Sequence, residues 1–137
     1  MRKTLYVLLI CTSCIFYSCG QKELFMPENK ILSNEFKLED RTQHISIYSK
    51  SFNKDTLNLL VNAYVEKYKP ENPSILKLKI YDRELPKELI DKIDLGVTAD
   101  SLGNAQMTTP PKGTKSVICW YWFKTYDKDM GEIQEQK

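Results

Sequence analysis

Four cysteines and a single histidine are the side chains best equipped for covalent or acid–base chemistry in this 137-residue chain. Their spacing leaves little of that chemistry open. A thiolate nucleophile needs a base within hydrogen-bond reach. His44 is the only imidazole and Cys119 the only cysteine outside the first nineteen residues. On the strand phases read below they point to opposite faces of a sheet, which argues against a Cys–His hydrolase. Zinc fares no better, because one His and one downstream Cys lack the paired ligand spacings of a four-coordinate site. Asp91 and Asp94 put two carboxylates on one helix face, but Lys87, Glu88 and Lys92 surround them, as on a solvated face. The stretch Asp100-Ser101-Leu102-Gly103-Asn104 has the outline of a calcium loop without its alternating oxygen ligands or closing glutamate, and reads as a turn. Gly103 and Gly113 stand alone, so no glycine-rich phosphate cradle is present. These readings assign no catalytic residue, metal ligand or cofactor.

The strongest local signal lies at the start of the chain. Arg2 and Lys3 precede an apolar run from Leu5 to Tyr17, Ser18-Cys19-Gly20 ends it, and Gln21-Lys22-Glu23 turns polar. As a helix the run covers roughly 20 Å, short of the roughly 30 Å hydrocarbon thickness a stable span must match. It reads as an export signal. The segment resembles the signal peptide of bacterial lipoproteins, in which a peptidase cuts before a cysteine whose thiol is already acylated. The resemblance covers residues 1–19 and implies a fatty-acylated Cys19, such as a palmitate-bearing one, anchoring an extracytoplasmic protein to a bacterial membrane, inner or outer. Cys14 is a second possible acceptor, but it leaves a much shorter apolar core. An ordinary secretory signal cut elsewhere is the alternative.

Removing residues 1–18 takes Arg2 and Lys3 with it and leaves 18 basic against 18 acidic residues among the remaining 119. The formal charge of +2 belongs to the discarded segment, and no electrostatic case for nucleic acid survives. With Cys19 as anchor, Cys119 is the one cysteine left in the folded part, so no intramolecular disulfide is expected. Within an apolar run it reads as a small buried hydrophobe.

The rest suffices for one domain. Residues 19–42 show no sustained period and read as a tether, with a short ordered piece around Ile31 to Leu38. Residues 43–127 form the domain, and residues 128–137, polar and charged, read as a fraying tail. Within the domain, His44 to Ser49 alternates as a half-buried strand. Leu57, Leu60, Val61, Tyr64, Val65 and Tyr68 fall on one stripe of a helix, with Asn53 or Asp55 as cap and Pro70 and Pro73 beyond its end. Ile75 to Tyr81 alternates again, with Lys77, Lys79 and Tyr81 on the polar side. Pro86, Leu89, Ile90, Ile93 and Gly96 outline a short second helix. Residues 98–113 read as a long loop, and Val117 to Tyr126 as a third strand rich in β-branched and aromatic residues.

The expected fold is therefore α+β: a small, mostly three-stranded sheet in the order β-α-β-(α)-β with one amphipathic helix packed on one face. A right-handed crossover would make the first two strands parallel neighbours. Val117, Cys119, Tyr121 and Phe123 would pack on the helix. The opposite face would then collect His44, Ser46, Tyr48, Lys77, Lys79, Tyr81, Trp120, Trp122, Lys124 and Tyr126. Tyr48, Lys77, Lys79, Tyr81, Trp120, Trp122 and Lys124 form the candidate binding surface, since aromatic faces bury much area at small entropic cost. The plainer expectation is that the second helix, the tether or the loop covers them. Function is expected to be that of a lipid-anchored envelope binding protein for a protein, glycan or small ligand. The alternatives are an envelope enzyme or accessory with a site at residues 97–114 near Asp100 and Asn104, with His44 titrating, or an inhibitor or immunity-type protein acting by occlusion.

Overall fold

The computed structural model describes residues 27–137. The expected signal peptide and Cys19 lie outside the described residues. Chain order is β1 (Asn29–Lys37), β2 (Thr42–Ser49), α1 (Lys54–Tyr68), a 3-10 turn (Lys69–Glu71), β3 (Ile75–Tyr81), α2 (Lys87–Leu95), β4 (Val97–Ala99), β5 (Ala105–Met107), β6 (Lys115–Trp122), β7 (Asp127–Met130) and β8 (Gln134–Glu135). The class is α+β as expected, but the main sheet has six strands rather than three. Its order is β1-β2-β3-β6-β7, with β8 continuing the β7 edge along β6.

The centre of this sheet follows the sequence pattern closely. The strands β2 and β3 are parallel neighbours joined through α1, and β6 adds antiparallel to β3. Asn53 caps α1 by accepting a hydrogen bond from the Thr56 amide at 3.0 Å. All six residues of the apolar stripe on α1 are buried. They pack with Ile45, Ile47, Leu76, Leu78, Ile80, Val117 and Cys119 into the main core. Tyr121 and Phe123 flank that core, so the face of β6 expected to meet the helix does so. Cys119 is 1% exposed, and burial pushes its thiol up to about 11. The register puts His44 level with Lys77 and Cys119 level with Leu78, hence on opposite faces.

The margins correct the sequence reading. Much of the expected tether is a nine-residue strand, β1, paired antiparallel with β2. Alternation fails there because the register shifts between Ile31 and Ser33, a bulge that sends Ile31 to the α1 core and Leu32 to the other side. The expected fraying tail supplies β7 and β8 on the far edge, so ordered structure extends past both limits of 43–127. Between those edge strands a Cβ on Gly131 would stand 3.0 Å from the Ile118 carbonyl oxygen, to which the Gly131 amide donates at 2.9 Å. The expected long loop contains a small hairpin, β4 with β5. Finally, β6 ends at Trp122, and residues 123–126 turn the chain into β7.

The second helix forms where Pro86 and Gly96 bracket it. Pro86 precedes its first turn, and Gly96 at φ +72° takes a backbone shape that side chains with a Cβ rarely adopt. It lies on the sheet face opposite α1. There Ile90 and Leu85 pack on Tyr81 in a second, smaller cluster, edged by Leu32, Leu89 and Ile93.

Candidate functional site

The face opposite α1 is a set of cross-strand rows. One row runs Glu35, His44, Lys77, Trp120, Asp129 from β1 to β7, and the next outward runs Lys37, Thr42, Ile75, Trp122, Asp127. Because side chains alternate with period two, these ten residues share one surface. The rows toward the other end hold Ser46 with Lys79, then Tyr48 with Tyr81. Six residue steps along β3 take the chain from Ile75 to Tyr81, about 20 Å at roughly 3.3 Å per residue.

The second helix divides this face. Tyr81 lies fully buried beneath it, and its hydroxyl finds no hydrogen-bond partner among the described residues. Burial pushes that phenol far above its ordinary range, with Asp94 adding to the effect. Lys79 is drawn to the helix by Asp94 at 3.4 Å, its side chain only 20% exposed. The expected platform is thus covered at one end, as the plainer expectation had it, and open at the other. Tyr48 stays half-buried at the covered end, a long way from the tryptophans. Lys124 and Tyr126 leave the face altogether because they belong to the β6–β7 turn.

At the open end Trp120 and Trp122 stack with ring centroids 6.4 Å apart and 20° between planes. The Lys77 ammonium sits 4.9 Å from the Trp120 ring centroid. Such a cation–π contact contributes on the order of 0.5–2 kcal/mol, depending on desolvation. Among the described residues no carboxylate forms an ion pair with Lys77. Partial burial lowers its pKa, as does the nearby charge of Lys79. His44, the next residue in the row, is held below its ordinary value by desolvation first and by Lys37 and Lys77 next. Both shifts have the same leading cause, desolvation of the charged form, with neighbouring lysines adding to it and the carboxylates of Asp40 and Glu35 (at His44) and Asp94 (at Lys77) opposing it.

Beside this row, α2 and the sheet enclose an open cleft of about 540 Å³. Its walls carry Glu35, Lys37, His44 and Lys77 from the strands, with Lys87 and Asp91 from the helix. Lys87 and Asp91 neutralise each other across one helical turn at 2.7 Å. A smaller hollow of about 250 Å³ is lined by Trp120 together with Asp129 and Glu132.

Sequence reasoning brought Lys77, Trp120, Trp122 and His44 together correctly. It missed Glu35 and Lys37, because the β1 bulge hides their phase, and Asp127 and Asp129, because two aspartates in four residues disfavour a strand. The other candidate region, at residues 97–114, places Asp100 in an exposed turn. Its carboxylate accepts from the Leu102 and Asn104 amides at 2.9 and 2.8 Å and from the Asn104 side chain at 3.2 Å, which holds its pKa below the usual carboxylate value. Those oxygens serve the turn. No group of three or more potential metal-ligating side chains occurs among the described residues, and no described helix is long and apolar enough to cross a membrane.

No known protein family, curated protein or solved structure matches this chain.

Proposed function

We propose that this protein is a lipid-anchored binding protein of the bacterial envelope, which holds its ligand at the open end of the sheet face lined by Lys77, Trp120 and Trp122. One observation carries the reading: an ammonium without a carboxylate partner among the described residues is held over an indole beside a second stacked indole, at the edge of a cleft of small-molecule size. A surface that only completes a core has no use for this arrangement, since burying a charge without a partner costs free energy. The order Arg2-Lys3, apolar run, Ser18-Cys19-Gly20 supports the anchor.

Two measurements test the two halves. Metabolic labelling with an alkynyl fatty acid in the native host is expected to mark the wild-type protein and not Cys19→Ala; equal labelling of both, or of neither, contradicts the anchor. Purification from envelope extracts is expected to retain a ligand that Trp120→Ala and Trp122→Ala lose while keeping a folded circular dichroism spectrum. Undiminished retention by both variants removes the face from the binding role.

A further inference from the structure

The small β4–β5 hairpin turns its apolar side outward. Resting on the lipid-anchor reading above, we infer that this hairpin is a second membrane contact, whose apolar row lies on the lipid surface to which Cys19 tethers the chain.

The pairing of Val97 with Met107, Thr98 with Gln106 and Ala99 with Ala105 sorts the side chains by face. Val97, Ala99, Ala105 and Met107 share one row, and Thr98 and Gln106 share the other. The apolar row is the one presented to water: Val97 and Met107 are each 68% exposed and both alanines are exposed, whereas Thr98 on the polar row is half-buried. Leu95, just before the hairpin, and Leu102, at its tip, are exposed as well. A two-stranded ribbon is marginally stable by itself in water. Here the turn holds it, with the Asp100 carboxylate accepting from the Leu102 and Asn104 amides. Contiguous exposed apolar side chains of this kind mark a contact surface.

Three features select lipid over protein as the occupant. Residues 95–111 carry a single ionisable side chain, Asp100, in a chain of which 28% is charged, so contact with an apolar layer desolvates almost no charge. Asp100 falls in the phase of the polar row, and its oxygens are already taken by the turn. The same stretch holds no Trp, Tyr, Phe or Arg, the residues in which protein interfaces are enriched, and a ribbon two strands wide falls far short of the roughly 800 Å² per partner that a stable protein interface covers. A lipid surface needs neither shape complementarity nor that area. The tether supplies the third feature. Cys19 lies ten residues before Asn29, where β1 begins, so an anchored domain stays within about 35 Å of the bilayer, and a weak apolar contact suffices once the anchor has confined it there. The charges flanking the segment are of both signs: Lys92 and Lys112 stand against Glu88, while Asp91 is paired with Lys87 and Asp94 with Lys79. The contact is therefore apolar rather than electrostatic.

The test attaches an environment-sensitive nitrobenzoxadiazole label to the acylated protein in phosphatidylcholine vesicles, at Val97→Cys, Thr98→Cys, Gln106→Cys and Met107→Cys in turn. An acylated Cys19 has no free thiol and Cys119 is buried, so the introduced cysteine takes the label. All four positions lie outside both core clusters, and an unchanged circular dichroism spectrum checks that each labelled protein is folded. Labels at Val97 and Met107 are expected to shift to the blue and to be quenched by lipids brominated on their acyl chains at least about threefold more than labels at Thr98 and Gln106. Loose association of the whole domain with vesicles produces no such alternation. Quenching that is absent at all four positions, or equal at all four, overturns the inference. So does a blue shift at Val97 and Met107 that grows with protein density and ignores brominated lipid, which assigns the row to a second copy of the chain. Mass spectrometry of Cys19 separates the two readings: an acylated protein without the alternation keeps the anchor and removes the hairpin contact, whereas an unmodified Cys19 removes both.

Discussion

The two faces of one sheet are finished differently. On one, the fifteen residues of α1 cover the strands with six buried side chains, and Ile45, Ile47, Leu76, Leu78, Ile80 and Val117 close a dry interior. On the other, the nine residues of α2 have one buried residue of their own, Ile90, and cover only the Tyr81 end. Where α2 stops, the strands present Lys77, His44 and two indoles. A closed face lowers free energy by removing apolar area from water at roughly 25 cal/mol per Å². A half-closed face forgoes part of that gain and keeps a surface that can bind.

The comparison can be broken first at its stronger side. Leu60→Ala removes a fully buried side chain from the α1 core and is expected to cost about 2–5 kcal/mol by urea unfolding. A cost below about 1 kcal/mol would mean that this face is not the sealed one. Ile90→Ala should cost about 2 kcal/mol, the low end of the same range, because the smaller cluster at a surface helix can relax into the space. Hydrogen exchange sharpens this: amides of α2 should lose protection in that variant while those of α1 keep theirs. Equal loss in both helices would make the two faces one cooperative unit.

A smaller effect is expected at Tyr81. Its buried hydroxyl has no partner among the described residues, so Tyr81→Phe should be neutral or stabilising by up to about 1 kcal/mol. A loss above about 1 kcal/mol would show that the hydroxyl is hydrogen-bonded in solution.

The smallest effect concerns pH. His44 has a folded pKa below its unfolded value near 6.5, so the unfolded chain binds more protons in that window. The contribution of His44 to stability is present in full above about pH 6.5 and is lost as pH falls through the lower folded value. Lys37 and Lys77 deepen the shift, while Asp40 and Glu35 oppose it. Lys87, Asp91 and Asp94 of α2 also line that cleft. His44→Gln should flatten this part of the stability–pH curve; an unchanged slope would remove His44 from it.

What could be read from sequence tracks how much burial each segment undergoes. The α1 stripe and the alternation of β2 and β3 were legible because burial on one side enforces a strict period. The apolar Val117–Phe123 stretch placed β6 and its helix-facing residues, though not its end at Trp122. The edges were not legible. The β1 strand carries a bulge that breaks its alternation, and β7 is an edge strand whose Asp and Lys residues guard against unwanted pairing rather than advertise a strand. The open site was half legible for the same reason. Lys77 and the two tryptophans sit on central strands, whereas Glu35 and Lys37 arrive on β1 and Asp129 on β7. That Tyr81 would be covered while Trp122 stays open depends on where α2 ends, which Gly96 marks in the sequence without saying over which residues the helix lies.

Collisional quenching of indole emission tests the central contrast most directly, since both fluorophores lie on the half-closed face. The account predicts that iodide and cesium both quench the native protein readily, because the Lys77 ammonium stands 4.9 Å from the Trp120 ring on one side while Asp129 lies level with it on the other, and that Lys77→Met shifts the balance toward cesium. Emission that is blue-shifted and inaccessible to both ions would mean that this face is sealed like the other.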